Sequence, residues 1–196
     1  ELDLNSDKKQ LIRINNPDKY MVSSRLTTCM LEDENADLWI GTSDGGLNRL
    51  HTKTQVFDHF TSENSEIPSN EILCLFLDAK HARWIGPTEG LCSFDKNTEQ
   101  LVLHSRQWES KRIESLISDT DSIRWIGTDR GLIRYEIQTS KHQAFLISDG
   151  LPSNVYNKGA VLLDDGRAVF ASNQGIVTFD PKELTVSNRS KKVEIT

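Results

Sequence analysis

Short apolar runs, each closed by a polar turn, recur along this 196-residue chain, and the pattern is plainest between residues 72 and 104. Ile72-Leu73-Cys74-Leu75-Phe76-Leu77 is an apolar run of strand length, and Asp78-Ala79-Lys80-His81-Ala82 is a polar turn. Arg83-Trp84-Ile85-Gly86 is the next strand, Pro87-Thr88-Glu89 turns the chain, and Gly90-Leu91-Cys92-Ser93-Phe94 is a third. Gln100-Leu101-Val102-Leu103-His104 follows as a fourth, after a loop from Asp95 to Glu99. β-Prone runs punctuated by Gly, Pro, Asn and Asp predict an antiparallel meander. No stretch carries a helical period over a useful length.

The unit repeats. Trp-Ile-Gly occurs at Trp39-Ile40-Gly41, Trp84-Ile85-Gly86 and Trp125-Ile126-Gly127, with spacings of 45 and 41 residues, each followed by Gly-Leu. A weaker copy, Val169 to Ile176, lies under Trp125 to Leu132 at a shift of 44. That period suits either one propeller blade or one helical solenoid unit, and the strand pattern selects the blade. Asp33 to Asp37, Asp119 to Ser122 and Asp164-Asp165-Gly166 take the first hairpin turn in the other copies. A lone four-stranded sheet has two apolar faces to bury, so such sheets must stack around an axis. The expected fold is all-β, with about four consecutive four-stranded antiparallel blades of a propeller. Trp39, Trp84 and Trp125 are then inter-blade plugs, and Gly41, Gly86 and Gly127 let a neighbouring backbone approach.

Leu38-Trp39-Ile40-Gly41-Thr42-Ser43-Asp44-Gly45-Gly46-Leu47-Asn48-Arg49 resembles the two-component regulator propeller repeat. Asn70 before a first strand, Asp78 in the turn before Trp84, and Phe94-Asp95 ending a third strand belong to the same pattern. The resemblance spans roughly residues 20 to 181 and departs from the pattern at Arg25, Pro87 and Val169. It divides the chain into the end of a preceding blade (1–19), blades at 20–65, 66–106, 107–150 and 151–184, and a linker (185–196). Leu4-Asn5 and Gln10-Leu11 align with Phe94-Asp95 and Gln100-Leu101, so the chain is expected to begin inside a blade. Two arrangements follow: part of a larger ring, seven-bladed by the resemblance, or four blades closed by the N-terminal strand. Unpaired blade faces in the first case predict self-association.

Composition narrows the chemistry. A formal net charge of −6 argues against nucleic acid at this segment. No run of 18 apolar residues is present, so any membrane contact is expected through parts of the protein outside this chain. Three cysteines give no disulfide framework; Cys29 and Cys74 lie ten residues before their tryptophans and read, with Cys92, as small buried hydrophobes.

Gly41-Thr42-Ser43-Asp44-Gly45 matches the nucleophile-elbow pattern, but it joins two strands where the elbow needs strand, turn and helix. Asp33 to Asp37 begins like a calcium loop, yet Leu38 stands where the loop needs Gly, and the run reads as a solvated hairpin turn. The histidines (His51, His59, His81, His104, His142) show no zinc-type pairing. No catalytic residue, metal site or cofactor is assigned.

Propeller loops joining second to third strands share one face with the segments leading into first strands. Ser43, Asp44, Thr88, Glu89, Asp129, Arg130, Asn173 and Gln174 occupy the former, and Arg25, Asn70 and Asn154 the latter. Of these, Arg25, Asp44, Asn70, Glu89, Asp129, Arg130, Asn154 and Asn173 are candidate ligand contacts, although Asp, Asn and Ser also serve plain tight turns. Trp108, in the connection between second and third blades, could stack on a sugar ring or cap the core.

The family resemblance implies an extracytoplasmic, periplasmic sensor segment of a bacterial membrane-bound regulator, often a hybrid histidine kinase system responding to oligosaccharides. It implies no catalysis in this part, and places residues 185–196 toward an immunoglobulin-like domain before a membrane span. The rivals are a propeller enzyme, such as a lyase or glycosidase, and a purely structural spacer.

Overall fold

The computed structural model describes residues 21–105 and 112–184. The first sheet holds β1 (Thr27–Glu32), β2 (Leu38–Thr42), β3 (Leu47–His51) and β4 (Val56–Phe60). The second holds β5 (Ile72–Leu77), β6 (Arg83–Pro87), β7 (Leu91–Asp95) and β8 (Gln100–Ser105). The third holds β9 (Ile113–Thr120), β10 (Ile123–Thr128), β11 (Gly131–Glu136) and β12 (Lys141–Phe145), and the fourth β13 (Tyr156–Leu162), β14 (Ala168–Ser172) and β15 (Gly175–Phe179). Every sheet is an antiparallel meander in chain order. Among the described residues the four sheets are arranged as a four-blade β-propeller. Residues 1–19, Trp108 and residues 185–196, all part of the sequence reading, lie outside the described residues.

Second strands present alternate residues to opposite neighbours, as a period of two requires. Trp39 faces forward, fully buried with Ile72, Ile85, Phe94 and Leu101 of the second blade. Trp84 packs likewise with Ile126, Ile133 and Tyr135, and Trp125 with Phe170, Val177 and Phe179. Val169 takes the tryptophan position in the fourth blade: Val169 pairs with Thr178 as Trp125 pairs with Arg134. There the forward-facing Val161 and Ile176 are exposed, whereas their counterparts Ile117 and Leu132 are buried.

The motif glycines work differently from expectation, because what crowds them is side chains. A Cβ on Gly41 or Gly86 would lie 2.5 Å from the sulfur of Cys29 or Cys74 in its own blade. It would also lie 2.9 or 2.7 Å from Ile72 or Ile113 of the next one. The glycine therefore lets two first strands close over the second strand between them.

A larger correction concerns the first turns. Asp33 and Asp78 are not solvated, being 5% and 6% exposed. Asp33 accepts hydrogen bonds from Trp39 Nε1 (2.9 Å) and from Arg83 Nε and Nη2 (3.2 and 2.9 Å). Arg83 belongs to the next blade and lies over the Trp39 ring, 5.7 Å from its centroid. Asp78 repeats the arrangement with Trp84 Nε1 (3.0 Å) and Arg124, whose guanidinium lies 4.7 Å from the Trp84 ring. Each clasp thus runs from turn to tryptophan to the arginine of the following blade. The third blade lacks one: β9 runs through Thr120, its hairpin is only Asp121-Ser122, and Ala168 stands at the arginine position.

The clasps carry a pH signature. Burial alone would raise the pKa of Asp33 and Asp78, but hydrogen bonds from the indole, the turn backbone and the arginine outweigh it and hold both below the ordinary carboxylate range. A depressed folded pKa means stability that is complete above the unfolded value of about 3.9 and lost as pH falls through the folded one. The melting temperature is therefore expected to drop below about pH 4, and the drop should shrink in Asp33→Asn and Asp78→Asn. An acid limb of unchanged steepness in both variants would contradict this.

Candidate ligand-binding face

Four equivalent backbone bonds assemble one face of the propeller. Ser43 N donates to Leu26 O (2.9 Å), Thr88 N to Glu71 O (2.9 Å), Asp129 N to Arg112 O (3.4 Å) and Asn173 N to Val155 O (3.1 Å). In every blade the turn between second and third strands is thereby tied to the segment leading into the first strand. A hydroxyl closes most of these turns: Thr42 Oγ1 donates to Gly46 O (2.7 Å), Thr128 Oγ1 to Gly131 O (2.7 Å) and Ser172 Oγ to Gly175 O (2.9 Å). Pro87 takes that position in the second blade.

The candidate residues fall on this face with unequal freedom. Arg25, Asp44, Glu89, Arg130 and Asn173 are exposed. Asn70 Oδ1 accepts from Ser62 N (2.8 Å) and Asn154 Oδ1 from Ile147 N (2.7 Å), so both amides shape the connection arriving from the preceding blade. Asn173 Oδ1 accepts from Ser153 Oγ (2.6 Å), and Asp129 Oδ1 from Arg112 N (3.3 Å). The arginine that links blades here is Arg112, a residue not singled out from the sequence. Its guanidinium pairs with Glu114 (3.1 Å) and reaches Glu71 of the second blade (3.5 Å). Thr88 Oγ1 donates to the other oxygen of Glu71 (3.0 Å). The Glu114 hydrogen bond, outweighing partial desolvation, raises the Arg112 pKa further. One repeat signal could have found the pair: Glu71 and Arg112 are 41 residues apart, the Trp84 to Trp125 spacing, and carry opposite charge.

Lower on the axis, Lys158 Nζ of the fourth blade donates to Thr28 O of the first (3.2 Å). Cys29, Cys74 and Cys92 form no disulfide, and burial pushes the Cys29 and Cys74 pKa values up, which keeps both protonated. A separate cleft of about 490 Å3 opens at the outer edge between the first two blades, lined by Arg49, Phe57, Asp58, His59, Phe94 and Glu99. Arg49 there is tied to Asp37 (2.9 Å). Among the outer histidines, His59 Nδ1 meets Asn48 Oδ1 (2.7 Å), while His104 meets Ser93 Oγ (2.8 Å) and packs on Trp84 (4.8 Å). Among the described residues no helix is long and apolar enough to cross a membrane.

No protein-family profile matches the chain, and no curated protein matches it in sequence. Solved structures share its fold. The extracellular domain of BT3049 from B. thetaiotaomicron, assigned to a hybrid two-component system, superposes with a TM-score of 0.77 at 15% identity over 89% of this chain and 25% of that one. The extracellular domain of BT4673 from the same organism, assigned likewise, gives 0.68 at 19% identity over 86% of this chain and 22% of that one. An auxiliary nutrient binding protein from Bacteroides ovatus gives 0.58 at 10% identity over 77% and 37%. The chain thus spans about a quarter of the length of the first two, and at these identities the likeness establishes the propeller fold.

Proposed function

We propose that this chain is an extracytoplasmic ligand-sensing segment of a bacterial two-component-type signalling protein, binding oligosaccharide on the face where the second-to-third-strand turns meet the strand lead-ins. It acts without catalysis. The observation that carries the reading is the four-fold backbone tie, which fixes the main chain in each blade while the side chains above it differ. Fixed backbone with variable side chains is how a repeat scaffold presents a binding surface. The extracellular two-component domains and the nutrient binding protein that share the fold support the assignment. A ligand on this face changes signalling only through different affinities for two packing states of the sensor.

Thermal unfolding of the full chain with candidate glycans tests the proposal. At about one hundred times Kd a ligand adds about 2.7 kcal/mol, a shift of roughly 5–10 °C for a chain of this size, with the glycan recovered intact. Cleaved glycan would place the chain with propeller enzymes. No shift with any glycan would leave a structural spacer.

A further inference from the structure

The four residues whose carbonyls make the repeated tie occupy one ring position around the axis: Leu26, Glu71, Arg112 and Val155. Their backbones are equivalent, yet their side chains split into two kinds. Glu71 and Arg112 are joined to each other across the second and third blades. Leu26 and Val155, in the first and fourth, hold apolar side chains in solvent, 64% and 38% exposed. These two exposed aliphatic groups, at a position that neighbouring blades fill with charge, belong to none of the buried clusters among the described residues. Further along the same first strands, the Lys158 to Thr28 bond crosses from fourth to first blade.

We propose that Leu26, Glu71, Arg112 and Val155 are the specificity ring of this face, and that it takes a neutral sugar unit, hydroxyls on Glu71 and Arg112 and C–H face on Leu26 and Val155. This deepens, and rests on, the assignment of the face to oligosaccharide. A pyranose has such a two-sided surface, with hydroxyls around its edge and axial hydrogens on its face. Planar carboxylate and guanidinium groups pair with adjacent hydroxyls in forked geometry. Charge sets the class: across the face Asp44, Glu71, Glu89, Glu114 and Asp129 exceed Arg25, Arg112, Arg130 and Lys158 by one, and Arg112 is already held by two carboxylates. A uronate would meet net repulsion where a neutral sugar meets donors and acceptors in balance.

Calorimetric titration of the full chain with neutral probes (maltohexaose, xylohexaose, an inulin-type fructo-oligosaccharide) and acidic ones (oligogalacturonate, a chondroitin disaccharide) tests this. At least one neutral probe should bind, and more tightly than every acidic probe. Glu71→Ala, Arg112→Gln and Leu26→Ser should each weaken it about tenfold, equivalent to one good contact, while circular dichroism and melting temperature stay those of the parent. Binding by the parent that survives all three substitutions would overturn the ring but leave the face as a glycan site. Preference for an acidic probe would overturn the neutral class. No binding by any probe would overturn both this inference and the function it rests on.

Discussion

Arg124→Ala is expected to destabilise the chain by about 3–5 kcal/mol, because it leaves the buried Asp78 carboxylate without its cation. Arg124 is almost wholly buried; its Nη2 pairs with Asp78, and its Nη1 donates to Ser118 Oγ and Thr120 O, both at 2.8 Å. Asp78 would retain Trp84 Nε1 and the amides of Lys80 and Ala82, which stabilise the charge without neutralising it. The melting temperature should fall by roughly 10 °C for a chain of this size. Arg124→Lys should recover little, since an ammonium has neither the fork nor the planar face that lies on Trp84. Chemical denaturation monitored by tryptophan fluorescence measures it. A loss under about 1 kcal/mol, the usual worth of an exposed ion pair, would mean that the clasp does not hold the second and third blades together.

The tryptophans make the second large prediction, and its content is an order. Trp39→Ala and Trp84→Ala should each cost about 3–5 kcal/mol through the cavity left between blades. Phenylalanine separates packing from hydrogen bonding. Trp39→Phe and Trp84→Phe also strip a donor from a buried carboxylate, at about 1–3 kcal/mol. Among the described residues Trp125 Nε1 is buried with no acceptor, so Trp125→Phe removes an unmet polar group together with some contact area. It should therefore be the mildest of the three phenylalanine variants. Equal losses at all three sites would refute the claim that the third blade lacks the clasp.

The difference between those sites also marks where sequence was informative. Strands β5 to β8 follow directly from the run of apolar residues and turns, because alternation and turn chemistry are local. The clasps are not local. Asp33 meets Arg83 fifty residues away, and an acidic hairpin turn looks the same on paper whether it faces water or the next blade. Only the recurrence of Arg83 and Arg124 immediately before two tryptophans hinted at it. The hairpin of the third blade misled for a related reason: Asp119 has the spacing of Asp33 and Asp78 to its tryptophan, but the strand continues past it. On the candidate face, polar turn residues stood out because polarity suggests contact. Leu26 and Val155 carry no such signal, and it is the backbone tie that puts them level with Glu71 and Arg112.

The central claim is that ligand is read at the axial face, and amide hydrogen exchange of the full chain with and without its tightest-binding neutral oligosaccharide tests it most directly. Protection is predicted at Leu26 to Thr28, at Asn70 to Leu73, at Arg112 to Ser115 and at Val155 to Lys158, with the turns tied to them. Protection confined to the outer cleft, around His59 on β4 and Glu99 before β8, with the lead-in segments unchanged, would contradict it.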